Sequence, residues 1–434
     1  MSLVRFLPVT PTQIGKTSPP QTPQIRLPVK PLLPVRSVLP YRCVGKNWNT
    51  SLITSSFSDK EQLHHNENPT RLIIPIYNGP DPTTTIHLFP HKIVPGVTPV
   101  PEKPSYLQIP AKLDGIIGPV DGIFFLHKDF DRMALWNPAT REFRPLPQDF
   151  FDSIPETSRP INYYNNYLGF GFDPSNHDYK VVCVSFLTDM AKHNPEPDRL
   201  WFASVCSLNN NCWKFLDCNF HADPLMSDSL CSTCVNGFYY WLTESYISPR
   251  KSGVIIRYFD MHNEVFGEIP GPIDYTSNQH CELSIYKDSI CLLVYHHHNR
   301  HDDDDDANPI IDVWLLNDDR SWTKVVNLIP TRIELRNVVP TMTCWTVGFW
   351  DQDKFIFESE NEIIHFDTKT REFTPLLDKP KQVCDRAALS YKESRVSIKG
   401  DILNHMQEFF EEYSEDDDSS EDEDCKIEDS KDDE

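Results

Sequence analysis

A mainly β chain folded as a β-propeller is what this sequence predicts, on three observations. The first is a repeated hairpin phrase, clearest at residues 134–147, ALWNPATREFRPLP, where an apolar run, a turn-forming segment and a second alternating run follow one another. It returns at 203–217 (ASVCSLNNNCWKFLD), 255–270 (IIRYFDMHNEVFGEIP), 312–328 (DVWLLNDDRSWTKVVNL) and 363–377 (IIHFDTKTREFTPLL). The second is its spacing. The aromatic after each turn (Phe143, Trp213, Phe266, Trp322, Phe373) recurs after 70, 53, 56 and 51 residues, against a period of roughly 50 for one four-stranded blade. The third is the scarcity of long stretches with a 3.6-residue apolar period in a chain with 37 prolines and 15 glycines, which argues against α and doubly wound α/β folds.

Taken in order, residues 1–32 are proline-rich, carry no acid and hold no helical pattern, so a disordered segment is expected there. Residues 33–57, LPVRSVLPYRCVGKNWNTSLITSSF, change character: Val35, Val38, Leu39, Cys43, Val44 and Trp48, then Leu52, Ile53 and Phe57, fall at roughly helical spacing. Candidate strands at 72–77 and 85–89 are expected to join the last blade, closing the ring with 387–391 and 395–398 from the other end, because closure removes exposed sheet edges. Blade one takes 115–147, with Ile123 to His127 as an inner strand. Blade two runs from Tyr167 through Trp213, and blades three, four and five each join a strand pair to the hairpins at 255, 314 and 363. The propeller is thus expected over 70–400. The hairpin aromatics, Trp136 included, are expected as core between sheets, leaving ligand contact to the loops at 150–167, 189–199, 244–253 and 296–308.

Charge is concentrated at the end. Residues 408–434 carry 16 acids against two lysines, more than half of the formal net charge of −23, and an acidic, solvated, disordered tail is expected. A polyanion repels phosphate backbones and attracts cationic proteins, so nucleic acid is not expected as a partner and a basic protein is. The 12 cysteines show no framework spacing, and no apolar run approaches the ~20 residues of a membrane helix. A cytoplasmic or nuclear protein with free thiols and no membrane partner follows as the expectation. Serines 414, 419 and 420 precede acidic runs, a context that acidophilic kinases prefer.

Residues 33–57 resemble the second half of a plant F-box, with Trp48 and Phe57 on that family's aromatic positions. Beyond them, GPVDGIFFL, LWNPATREFRPLP, GFGFDPSNHDYKVV, NGFYYWL, FDMHNEVFGEIPGP and LSIYKDSICLL occur in the order found in the kelch-like F-box-associated β-propeller of plants, so the resemblance spans nearly all of 33–400. Within that family the wording is most similar to the S-locus F-box group, whose members recognise S-ribonucleases in pollen self-incompatibility. The resemblance implies a short helical module that docks a Skp-type adaptor and through it a cullin, with Leu33, Pro34, Val35, Leu39, Cys43, Val44, Trp48, Leu52, Ile53 and Phe57 as adaptor contacts. It also implies a propeller that holds a protein substrate of an SCF-type ubiquitin ligase. Two departures stand out. Pro23, Pro28 and Pro31 occupy the place of the family's first helix, and Pro40 replaces an arginine in a helix interior at a typical cost of ~3 kcal/mol. The alternative is a propeller that only binds its partner and has lost adaptor docking.

No motif calls for a cofactor or for catalysis. Cys231 and Cys234 have metal or redox spacing but lack a second pair, and Cys206, Cys212 and Cys218 straddle a turn. His296, His297, His298 and His301 with the following aspartates read as a polar loop rather than a metal site. The expectation is a non-catalytic recognition subunit.

Overall fold

The computed structural model describes residues 70–411 apart from parts of the connections between strands, chiefly 148–161, 189–198, 217–224, 297–309, 336–344 and 379–388. The F-box-like residues 33–57 and the segment 412–434 lie outside the described residues.

The chain opens with three strands of one sheet, β1 (Arg71–Tyr77), β2 (Thr84–Leu88) and β3 (Gln108–Ile109). Blade one follows as β4 (Gly115–Val120), β5 (Ile123–Lys128), β6 (Arg132–Asn137) and β7 (Glu142–Pro145). Blade two is β8 (Asn162–Asp173), β9 (Asp178–Thr188), β10 (Arg199–Ser207) and β11 (Cys212–Leu216). Blade three is β12 (Leu225–Met226), β13 (Phe238–Ser248), β14 (Lys251–Asp260) and β15 (Val265–Tyr275). Blade four is β16 (Gln279–Tyr286), β17 (Ser289–His296), β18 (Ile310–Leu316) and β19 (Trp322–Val325). Blade five is β20 (Trp345–Trp350), β21 (Lys354–Glu358), β22 (Glu362–Asp367) and β23 (Phe373–Asp378). Then β24 (Leu389–Tyr391) pairs with β1, so the sixth sheet has the order β24, β1, β2, β3 and is built from both ends of the domain. The innermost strands touch in turn, β24 to β4, β4 to β8, β8 to β13, β13 to β16, β16 to β20 and β20 back to β24. The ring is closed by strands from both ends of the domain, as the sequence predicts, and it has six blades.

Each blade is apolar on both faces because it is covered by a neighbour on both sides. In β1, Leu72, Ile74 and Ile76 face blade five while Ile73 faces blade one, which the two-residue alternation of a strand requires. The buried side chains accordingly fall into one cluster per interface between neighbouring blades. Of the hairpin aromatics, Trp136 and Phe143 are fully buried, whereas Trp213, Phe266, Trp322 and Phe373 are half-buried at the outer rim of these clusters. Two of them still reach back one blade: Trp213 Nε1 donates to the Pro147 carbonyl at 2.8 Å, and Trp322 Nε1 to the Pro270 carbonyl at 2.9 Å.

The hairpin phrase has a common mechanism. An Asn or Asp opens the turn and accepts the next backbone N–H groups, as Asn137 Oδ1 does from Ala139 and Thr140, and Asp367 Oδ1 from Lys369 and Thr370. Two residues before each aromatic, Arg141, Asn211, Glu264, Arg320 and Arg371 are left-handed, with φ between 52° and 64°. Glycine would relieve that strain. Three of these side chains instead bridge to the preceding blade: Asn211 accepts from Arg144 at 2.8 Å, Glu264 pairs with Lys180 and Lys214, and Arg320 lies over the Tyr258 ring at 5.1 Å; Arg371 pairs with Glu334 in the connection between blades four and five.

Three expectations need correction. Residues 395–398 form no strand; they cross the ends of blade one, where Asn137 Nδ2 donates to the Ser394 and Val396 carbonyls and Glu142 accepts from the Ile398 N–H. The chain then adds β25 (Asp401–Ile402) as a fifth strand beside β7, and a helix, α1 (Met406–Glu411), stands where the acidic tail was expected to begin. Gly400 permits the crossing, since a Cβ there would sit 2.4 Å from the Phe143 carbonyl oxygen. Ile123 to His127, expected as an inner strand, is second from the axis behind β4.

Two buried histidines make the fold acid-sensitive. His87 on β2 and His365 on β22 are buried, and burial lowers both pKa values to about 4, helped by Lys103 beside His87 and by Lys354 beside His365, whose Asp367 opposes it. The unfolded chain takes up protons near the ordinary value of 6.5 and the folded chain does so only near 4. Stability therefore falls as pH drops through this interval and levels off below it. Melting curves taken between pH 7 and pH 4 are expected to show that slope, and His365→Leu is expected to flatten it.

Candidate substrate-binding face

Antiparallel pairing sorts the connections onto two faces. Counting outward from the axis, the turns joining first to second and third to fourth strands lie on one side; the second-to-third connections and the links to the next blade lie on the other. The first side holds the tight turns at 121–122, 138–141, 261–264, 287–288 and 368–372. The first side also holds two long connections, β2–β3 (89–107) and β12–β13 (227–237); the second holds connections that range from residues 249–250 in blade three to 297–309 in blade four. All four segments picked from sequence open on this second face, at 148–161, 189–198, 249–250 and 297–309. They are shorter than expected in two cases: Asn162 to Tyr167 belong to β8, and Glu244 to Gly253 form the tip of the β13–β14 hairpin apart from 249–250. Both are strand because their pairing continues outward, with Glu244 opposite Val254 and Tyr167 opposite Val184.

Beneath the 297–309 connection, polar side chains cross all four strands of blade four. Gln279 Nε2 lies 3.2 Å from His296 Nδ1, His296 Nε2 3.1 Å from Asp312 Oδ2, and Lys324 Nζ 2.6 Å from the same oxygen. Beside them the Tyr295 hydroxyl donates to Glu282 at 2.9 Å. This ladder holds the strand ends that carry the long connection. At the rim of blade one, α1 ends on the same face: its Phe410 carbonyl accepts from Lys128 Nζ at 2.7 Å and from Arg132 Nη1 at 2.8 Å, the two residues flanking the β5–β6 connection. The described chain therefore ends, at Glu411, on the loop face.

The turn face carries a buried charge cluster between blades two and three. Lys180 bridges Asp173 at 3.2 Å and Glu264 at 2.9 Å and donates to the Met261 carbonyl at 2.6 Å, while His262 Nδ1 lies 3.2 Å from Asp173. Burial opposes the charged form of Asp173, but hydrogen bonds from Asn176 and Lys180 outweigh it and hold its pKa below the ordinary value. Burial likewise opposes the Lys180 ammonium, and Glu264 with Asp173 outweighs it. Every group here is consumed by another, so the cluster ties blade two to blade three and offers nothing to a substrate. Sequence reasoning missed it; the signal was Asp173 and Lys180 around one turn of blade two and Glu264 in the turn phrase of blade three.

Cys231 and Cys218 lie outside the described residues, so the Cys231–Cys234 pair is described at one end only. Cys206 is buried and Cys212 exposed, and burial pushes the Cys234 thiol up to about 12. Among the described residues no group of three or more His, Cys, Asp or Glu is placed to hold a metal ion, and no helix is long and apolar enough to cross a membrane. The adaptor contacts read from sequence, Leu33 to Phe57, lie outside the described residues, as do His297, His298 and His301.

The fold is a closed six-bladed β-propeller whose connections divide between two faces. Its sequence agrees: residues 102–379 match the F-box associated beta propeller domain, and the chain belongs to that family. Among its relatives in Arabidopsis thaliana, F-box protein At4g22390 is 25% identical over 63% of this chain and 68% of its own length. F-box protein At1g53790 is 25% identical over 69% of this chain and 62% of its own length, and F-box protein CPR1 is 23% identical over 69% and 73%. The chain thus spans about two thirds of the relatives it matches.

Proposed function

We propose that this chain is the substrate-recognition subunit of an SCF-type E3 ubiquitin ligase, in which residues 33–57 dock a Skp-type adaptor linked to a cullin and the loop face holds a protein substrate. The observation that supports it best is the F-box associated propeller match over 102–379, on a ring where the chain enters β1 from the turn face and the connections at 189–198, 249–250 and 297–309 join strand ends on the other. The chain supplies geometry and no chemistry. Holding substrate lysines near a recruited conjugating enzyme raises their effective concentration.

The partner is a basic protein, since the sequence places five consecutive aspartates at 302–306, between β17 and β18, and an acidic run at 412–434, after α1, and such runs attract cations over a Debye length of about 8 Å at physiological salt. A narrower reading, in which the partner is an S-ribonuclease, rests on the wording of residues 33–400 alone. A second reading, a binding module without a ligase, is favoured by Pro40 and by Pro23, Pro28 and Pro31. Retention of the chain by a Skp-type adaptor and cullin, compared with a version lacking residues 1–57, separates the two.

A further inference from the structure

The connection from β2 toward β3 projects from the turn face and is tied to the point where the chain enters the propeller. At its base Leu88 and Glu102 exchange backbone hydrogen bonds of 2.9 and 2.8 Å. Arg71 Nε donates to the Phe89 carbonyl at 3.2 Å and its guanidinium pairs with Glu102, while His91 Nδ1 lies 3.0 Å from the Thr70 carbonyl. Beyond that base it exposes three valines within seven residues: Val94 at 60%, Val97 at 56% and Val100 at 85%. Of five large apolar side chains exposed among the described residues, three are here. Isolated exposed apolar residues are ordinary, but a cluster on a pinned loop calls for a cover.

We propose that residues 33–57 are that cover, packing part of their apolar side on the valine loop and so fixing the adaptor module to the turn face. Two chain ends lie outside the described residues, and only the N-terminal one enters here; the other leaves from the opposite face at Lys128 and Arg132 and is acidic. The intervening residues 58–69, SDKEQLHHNENP, are polar and offer one leucine. Twelve residues extend to at most about 40 Å, which places the nearest apolar stretch, 33–57, within reach of the loop. The inference rests on 33–57 being an apolar helical module, as in the proposed function, and does not require that it bind an adaptor. Its consequence is a fixed spacing between adaptor and substrate, on opposite faces of one ring.

The test is hydrogen exchange of the full chain beside a Val94→Glu, Val97→Glu, Val100→Glu variant, whose sites are exposed and leave the core intact. Residues 33–57 are expected to exchange about tenfold faster in the variant while β1 and β24 keep their protection. Equal exchange of 33–57 in both proteins would overturn the inference. So would a dimer in solution that the variant dissolves, because a second copy would then cover the valines. Adaptor retention scored on the same proteins separates the claims: retention with unprotected 33–57 sinks this inference and leaves the ligase reading, and protection without retention does the reverse.

Discussion

Replacing Lys180 with methionine is expected to destabilise the propeller by about 3 kcal/mol, among the largest effects of any single substitution outside the apolar core. Asp173 is fully buried, and Lys180 is its buried cationic partner. Without that ammonium, Asp173 keeps the N–H groups of Ser175 and Asn176, the Asn176 side chain and the half-exposed His262, but loses its buried cation and must hold its charge beside the Met261 carbonyl and Glu264. Glu264 suffers less, since Lys214 still reaches it at 2.7 Å. Burial costs an unpaired ion more than it costs a pair, so the single variant should be worse than Lys180→Met combined with Asp173→Asn. Denaturant unfolding of both proteins checks this. An unchanged midpoint for the single variant would show that the cluster contributes nothing.

The second large effect concerns the C-terminal strap. Removing residues 400–434 takes away β25 and α1, and with them the fully buried Met406 and Phe410, which pack against Trp136, Phe124, Leu389 and Tyr391 at the junction of blade one with the closing sheet. Phe410 also meets Phe143 edge to face at 5.9 Å. Loss of one such phenylalanine costs about 3–5 kcal/mol, which lowers the melting temperature by roughly 6–10 °C. Phe410→Ala should reproduce most of the loss, and removal of 412–434 alone should reproduce none. Because β24 and β1 meet at the same junction, faster amide exchange should appear first in those two strands. Uniform destabilisation of all six blades would argue against a local role for the strap.

Much of this architecture is legible in the sequence because propeller blades repeat. The hairpin phrase places the third and fourth strands of five blades, since Asn, Asp and an aromatic recur at fixed offsets around a turn that local hydrogen bonds determine. The sixth blade has no such phrase. Its third and fourth strands are separated by the long valine loop, and only the need to close the ring assigns it. Two features stay hidden for the same reason, that they join residues far apart in the chain. The tie from Lys180 to Glu264 spans 84 positions, and the Arg132 contact to Phe410 spans 278. An acidic run also masked the helix: Met406, Phe409 and Phe410 have helical spacing, but Glu408 and Glu411 merge with the charge that follows. Loop length is visible in sequence, whereas the face on which each connection opens follows only from the pairing of strands.

The most direct test of the central claim is a pulldown of the full chain, beside a version lacking residues 1–57, against a plant Skp-type adaptor with its cullin. Retention of the full chain and loss of the shortened one is the predicted result, and it would make residues 33–57 the link to the ligase. If neither is retained, Pro40 and the prolines before it have ended adaptor docking, and the propeller acts as a binding module alone.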